Sequence, residues 1–381
     1  MNQVLAAGAL ALLLGWVILH FRRHHESVTG DTVDDGPQKI HTGAVPRIGG
    51  LMIFAGFCAG IAFACMSGQL AFSQGALVVL CGLPAFAAGF FEDLTKHGNV
   101  LIRLLATFIS AGLAFWLLGA RLDRLDFPAL DQWLAFVPVS LLFTMFAAGG
   151  VSQSLNIIDG LNGLAAFVGI VMLAALGLVA WRVGDVLALS ICLSACGGLL
   201  GFFAWNYPRG RIFCGDGGAY FTGFLVAEVS ILLVHRHAEV SSWFPLLLAA
   251  YPVWETLFSI YRRKLVSRRA AMRPDALHLH SLVFRWVREA SRSPAGEPAW
   301  WCNPVSSSLC WVLPGAAAAV AMLYWNETWK LVMGASGFAL AYVLAYRELA
   351  DPSHWRKFLR RRRRGGGKGR AMRMRRTRAL P

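Results

Sequence analysis

Runs of apolar residues about as long as a bilayer is thick recur along almost the whole chain, and no other feature limits its fold as strongly. A helix crosses the hydrocarbon layer in roughly 20 residues, and only helices or closed barrels satisfy the backbone there. Eleven runs of this kind are read, at 2–21, 49–67, 73–91, 101–119, 133–150, 161–181, 185–205, 216–234, 243–261, 305–325 and 328–346. Composition agrees, since 56% of the chain is hydrophobic and only 15% is charged, a balance that ordinary soluble domains do not have. The expected fold is an all-α polytopic membrane protein of about eleven transmembrane helices. The first run, "VLAAGALALLLGWVILHF", has no basic residue ahead of it and no cleavage site behind it, so it reads as a retained helix rather than a signal peptide.

Short cytoplasmic loops keep lysine and arginine while exported loops shed them. With eleven crossings, the segments after odd-numbered helices carry 30 of the 36 Lys and Arg residues, whereas the other side keeps Arg121, Arg124, Arg182, Arg236 and Lys330. That places the amino terminus in the periplasm and the carboxyl terminus in the cytoplasm. A membrane domain then spans 1–346, with cytoplasmic loops near 22–48, 92–100, 151–160, 206–215 and 262–304. The basic segment 347–381 supplies much of the +15 net charge; it reads as a disordered tail on anionic lipid rather than as a nucleic-acid arm.

Five polar clusters interrupt the apolar pattern: "KIHTGAVPRIGG", "FFEDLTK", "SLNIIDGLNG", "WNYPRGRIFCGDGGAYFTGF" and "PDALHLHS". All five fall on the cytoplasmic side of the topology above, which argues for one site. Taken singly, Asp159 and Asp216 are adequate helix caps, Glu92 and Asp93 are boundary charges, and His278 and His280 are surface histidines. Together they supply what a divalent cation and a phosphorylated ligand need. Carboxylate and amide oxygens are hard ligands that suit Mg²⁺, with Mn²⁺ as an alternative. Glycines beside Asp159 and Asp216 allow close backbone approach to a phosphate, and imidazole and guanidinium groups bind the remainder. "GDGGAYFTGF" lacks the G-K-[ST] ending of a Walker A loop, and "HLHS" is not the H-E-x-x-H of a metalloprotease.

The five clusters, in their order and spacing from Lys39 to His280, resemble those of the polyprenyl-phosphate N-acetylhexosamine-1-phosphate transferases. That family includes the undecaprenyl-phosphate GlcNAc-1-phosphate transferases and the phospho-N-acetylmuramoyl-pentapeptide transferases. The resemblance implies a Mg²⁺-dependent transfer of sugar-1-phosphate from a UDP-N-acetylhexosamine to undecaprenyl phosphate, with release of UMP, at the cytoplasmic face of a bacterial inner membrane. "FFEDLTK" is similar to the aspartate-rich first motif, with Glu92 where an Asp is usual and Asp93 in the second place. "NIIDGLNG" resembles N-x-x-D-G-x-D-G, which places Asn156 and Asp159 at the active centre and Asn162 where a nucleotide-associated Asp is usual. "FCGDGG" resembles F-x-G-D-x-G, making Asp216 the leading metal ligand beside Asp159, and Phe213 a stacking partner for uracil. Asn206 is a further candidate for the nucleotide. "PDALHLHS" is similar to H-x-H-H, matched at His278 and His280 but not at Ser281.

The pentapeptide enzymes carry a longer histidine run, so a UDP-N-acetylhexosamine is the favoured donor. Lys39, His41 and Arg47 are the candidates for the lipid phosphate. The resemblance also implies a homodimer and a role in initiating a cell-surface glycan such as cell wall polymer or lipopolysaccharide O-antigen. Whether Asp93 acts as general base or as covalent nucleophile stays open, as does the identity of the sugar. The rival from another class is a transporter or flippase of a phosphorylated solute; transporter sites sit near the bilayer midplane on broken helices, whereas these clusters lie at helix ends.

Overall fold

The computed structural model describes residues 2–31, 45–96, 99–266, 277–291 and 299–351. In chain order the helices are α1 (Asn2–His20), α2 (Arg22–Thr29), α3 (Gly49–Met66), α4 (Phe72–Thr95), α5 (Val100–Leu117), α6 (Pro128–Leu134), α7 (Val137–Ile157) and α8 (Leu164–Val183). They continue with α9 (Val186–Asn206), α10 (Gly215–Arg236), α11 (Trp243–Leu248), α12 (Ala250–Tyr261), α13 (Leu279–Ala290), α14 (Cys302–Cys310), α15 (Val312–Leu323) and α16 (Thr328–Ala350). A two-residue antiparallel pair, β1 (Gly30–Asp31) with β2 (Val45–Pro46), sits before α3.

Among the described residues, ten helices are long and apolar enough to cross a membrane. Ten of the eleven expected spans therefore have a counterpart, and the span read at 243–261 is divided into α11 and α12 at Ala249. Pro252 explains the division, because it has no N–H with which to continue the ladder. Two expected loops are largely helical instead. α4 continues to Thr95 and ends on Lys96 in the left-handed conformation, φ 58°, so Glu92 and Asp93 lie on a helix. α7 likewise continues through Asn156 to Ile157. The basic residues beyond Asp351 lie outside the described residues.

α10 is the axis of the bundle. It is apolar all round and buried almost from end to end, the pattern of a helix enclosed by others rather than facing lipid. Helices α3, α4, α5, α7, α8 and α9 pack around it. Large exposed apolar side chains on the outer helices, such as Phe146 on α7 and Trp181 on α8, are what a lipid-facing surface presents.

The two ends of α10 are fixed by different means. At its carboxyl end Arg124 donates from Nη2 to the carbonyls of Val234 (2.9 Å), His237 (3.0 Å) and Val240 (2.6 Å), taking up acceptors that a helix end leaves open. Arg124 is paired with Asp126, which accepts from the Ser242 N–H (2.8 Å) and from the hydroxyls of Ser241, Ser242 and Thr328, each at 3.1 Å. One carboxylate thereby ties three connecting segments together, from a residue held at φ 60°.

Burial alone would raise the Asp126 pKa, but the Ser242 N–H and Arg124 outweigh it and hold the carboxyl below its ordinary value. A depressed carboxylate contributes stability above its unfolded pKa and loses it as pH falls through the folded one, here below about pH 4. Replacing Asp126 with Ala is expected to lower the thermal midpoint at pH 7 by several degrees, a loss of about 2–3 kcal/mol. The gap from wild type should narrow as pH is taken towards 3. Tryptophan fluorescence of the purified protein reads both; an unchanged midpoint at pH 7 would contradict the latch.

Candidate active site

The opposite end of α10 begins with the sequence Gly215-Asp216-Gly217-Gly218. Its glycines are required by close approach. A Cβ on Gly215, at φ +74°, would meet the Arg47 carbonyl at 2.4 Å and Asp93 Oδ2 at 2.5 Å. Gly50 and Gly89 bring α3 and α4 against the same turn, where a Cβ would meet Gly218 N at 2.3 Å or the Asp216 backbone at 2.6 Å. The segment ahead of α3 pairs with the segment ahead of α10: Phe213 N–H donates to Pro46 O, Gly49 N–H to Phe213 O, and Gly50 N–H to Cys214 O, at 2.8–2.9 Å.

Asp93 closes this arrangement. It is 2% exposed, and its two oxygens accept the backbone N–H of Asp216 (2.8 Å) and of Gly217 (2.9 Å). A carboxylate from α4 thus satisfies donors that the first turn of α10 cannot satisfy itself, where the helix dipole also favours negative charge.

Two guanidiniums lie between the carboxylates. Arg47 reaches Asp93 Oδ1 from Nε at 3.3 Å and Asp216 Oδ2 from Nη2 at 3.0 Å. Arg103, on the first turn of α5, reaches Glu92 Oε1 at 2.6 Å and Asp216 Oδ2 at 2.7 Å from Nη1, and its guanidinium lies 5.3 Å from the centroid of the Tyr220 ring. The Tyr220 hydroxyl donates to Gln153 Oε1 at 2.5 Å, and the Asn156 side chain lies beside that hydroxyl, so Asn156 borders the cluster one side chain further out. Asp159 lies in the turn after α7. Burial pushes its carboxyl up to about 7, with Arg47 acting against the shift and Asp216 adding to it.

The histidines form a neighbouring group. His280 packs on Gly160, where a Cβ would come within 2.5 Å of its Nε2, and it stacks on His278 with centroids 5.5 Å apart and planes 5° apart. Burial pushes the His280 imidazole down to about 4 against the pull of Glu255, so a neutral ring faces the Asp159–Gly160 turn at neutral pH. Its Nδ1 has no hydrogen-bond partner among the described residues.

The expected residues therefore separate by position. Glu92, Asp93, Asp216 and Arg47 touch one another, Asp159 is coupled to them electrostatically, and Asn156 borders them beside Tyr220. Asn206 has both ends of its amide committed to backbone, Oδ1 accepting from Gly163 N–H and Nδ2 donating to Ile212 O at 2.8 Å. Asn162 donates from Nδ2 to Pro208 O at 3.0 Å, a bond that an aspartate there could not make. Phe213 serves through its backbone in the pairing described above. Lys39 and His41 lie outside the described residues. Arg103 and Glu255 were not among the expected site residues; each is an isolated charge inside an apolar run, which is itself a signal.

The donor set fits a hard divalent cation. Glu92, Asp93, Asp159 and Asp216 face Arg47 and Arg103, so with every group ionised two negative charges are left over. Glu92 Oε2 is buried without a hydrogen-bond partner among the described residues. Those residues contain no group of three or more His, Cys, Asp or Glu close enough to cage an ion. Mg²⁺ commonly binds through one or two carboxylates completed by water and ligand phosphate.

A model of glycosyl transferase family 4 matches residues 76–234, a segment that includes Glu92, Asp93, Arg103, Asp159 and Asp216 but not Arg47 or the histidines. A protein of Bacillus subtilis (strain 168) described as a probable undecaprenyl-phosphate N-acetylglucosaminyl 1-phosphate transferase is 27% identical over 294 residues, 74% of this chain and 77% of the relative. The phospho-N-acetylmuramoyl-pentapeptide-transferase of Enterococcus hirae is 30% identical over 271 residues, 66% of this chain and 80% of the relative. The enzyme of that name from Streptococcus pneumoniae serotype 19F (strain G54) is 29% identical over 291 residues, 72% of this chain and 86% of the relative.

If Asp93 is the clamp on α10, Asp93→Asn sets an amide NH₂ against a backbone N–H and should lower the thermal midpoint of the unliganded protein by several degrees. A variant as stable as wild type would contradict the clamp.

Proposed function

This chain belongs to the polyprenyl-phosphate hexosamine-1-phosphate transferases, and we propose that it transfers N-acetylhexosamine-1-phosphate from a UDP-sugar to undecaprenyl phosphate, releasing UMP. One observation carries the reading: three carboxylates and two guanidiniums meet at the buried start of α10, with Asp159 near enough to be coupled to them, at the end of the bundle where α4 and α7 finish and α3 and α5 begin. With a divalent cation bound, such a site would take anionic phosphates, and it lies at a helix end rather than mid-bundle, which favours transfer over transport.

A phosphate monoester has its second pKa at about 6, so the lipid phosphate is largely ionised at neutral pH and can attack the phosphorus next to the sugar directly. An O–P bond forms there as the bond to UMP breaks. Arg47 and Arg103 are placed to exchange a carboxylate partner for a pyrophosphate oxygen, the role for which a planar guanidinium is suited. Asp93, with both oxygens on the α10 backbone, positions Asp216 rather than acting as base or nucleophile. Asp216 and Asp159 would hold Mg²⁺, which when bound supplies positive charge to the pyrophosphate. The neutral His280 beside Asp159 would donate or accept one hydrogen bond without adding charge.

The finer assignments follow from the same reading. The charge distribution of the loops supports a cytoplasmic site in a bacterial inner membrane, and the short histidine element supports UDP-GlcNAc or a close relative as donor. The product would begin a lipid-linked surface glycan.

Purified protein given UDP-GlcNAc, undecaprenyl phosphate and Mg²⁺ should release UMP, and Asp216→Ala should reduce that release by about 10³-fold or more. UMP release by the variant at a wild-type rate would remove Asp216 from the chemistry. No release by wild type from any of a panel of UDP-N-acetylhexosamines, with uptake into vesicles, would favour transport.

A further inference from the structure

Glu255 is a buried, heavily bonded acid away from the cluster at the start of α10. It lies on α12 with 1% of its surface exposed. It accepts from His278 Nδ1 (2.9 Å), from the Leu279 N–H (3.0 and 3.3 Å) and from the Tyr342 hydroxyl of α16 (2.8 Å). A buried carboxylate is costly unless every lone pair is occupied, and these donors come from two separate elements, the start of α13 and α16.

The bonds determine where the His278 proton sits. A carboxylate oxygen only accepts, so Nδ1 carries the proton. On the other side of the ring Arg263 Nη2 lies 3.2 Å from Nε2; a guanidinium only donates, so Nε2 presents its lone pair. Arg263 belongs to a π-helical turn, Arg262–Val266, that continues α12, a local geometry often found at functional sites. The Leu279 N–H bond caps α13 at its first residue, with a negative charge where the helix dipole favours one. His280, one residue further on, is thereby seated against Gly160 and stacked on His278.

The geometry points to Glu255 as a positioning residue for the transfer reaction: by fixing the His278 tautomer it holds the Arg263 guanidinium, and by capping α13 it seats His280 against the Asp159–Gly160 turn. This rests on the function proposed above, because the wall it orders would receive the donor's pyrophosphate. Glu255 touches no reacting atom and acts through the two histidines and Arg263. Ordering those groups beforehand removes a reorganisation cost that binding would otherwise meet.

Two measurements on the full-length protein test it. ¹⁵N-histidine spectra of wild type without substrate, assigned through His278→Gln, should show the His278 proton on Nδ1, and Glu255→Gln should shift that signal. A proton on Nε2, or a signal indifferent to Glu255→Gln, overturns the inference whatever the substrate proves to be. In the transfer assay, Glu255→Gln should lower kcat/KM about tenfold in wild type but less than about twofold in the His278→Gln background, the non-additivity expected of residues acting in series. Additive losses overturn it. Absence of turnover in wild type would count against the proposed function alone, and the spectra would still decide the role of Glu255.

Discussion

A carboxylate from one helix closing the first turn of another, buried one is the contact on which the site depends. α10 begins inside the protein rather than in solvent, and its first backbone donors need a partner there. Asp93 supplies it with both oxygens, and the approach is close enough that Gly215, Gly89 and Gly50 have no room for a side chain. The geometry that satisfies the backbone also brings Asp216, Glu92 and the two arginines to within ion-pair distance. Architecture and chemistry therefore share one residue, so loss of activity on changing Asp93 does not identify it as base or nucleophile.

The arginines explain how so much acid is tolerated in one place. Each bridges two carboxylates, and Asp216 Oδ2 is common to both bridges. In the proposed reaction ligand phosphate oxygens would replace carboxylate oxygens at the guanidiniums, with Mg²⁺ offsetting the charge of the carboxylates they leave behind. At the other end of α10 the same principle operates for stability alone, where Arg124 and Asp126 saturate carbonyls and hydroxyls from three connecting segments.

The span pattern was legible because hydrocarbon thickness imposes a length on every crossing helix, and an unbroken apolar run carries that length openly. What hydropathy could not resolve was where a helix ends once its residues turn polar: Glu92, Asp93 and Asn156 read as loop residues yet extend α4 and α7. The motif residues Glu92, Asp93, Asp159 and Asp216 were recognisable from their clustering on one side of the predicted topology, and the structure brings them to one end of the bundle. Arg103 and Glu255 belong to no local cluster. Each meets its partners only through long-range packing, Arg103 with Asp216 and Glu255 with His278 and Tyr342. Asn162 departs from the family's aspartate, and its amide donates to Pro208 O, a role that no spacing rule contains.

The most direct test of the account follows the two phosphorus atoms of the donor separately. With UDP-GlcNAc labelled at the phosphorus next to the sugar, the label should enter the organic-extractable lipid, and with the other phosphorus labelled it should leave as UMP. Recovery of both labels together, whether as intact donor moved across a vesicle membrane or as water-soluble products with none in lipid, would contradict it.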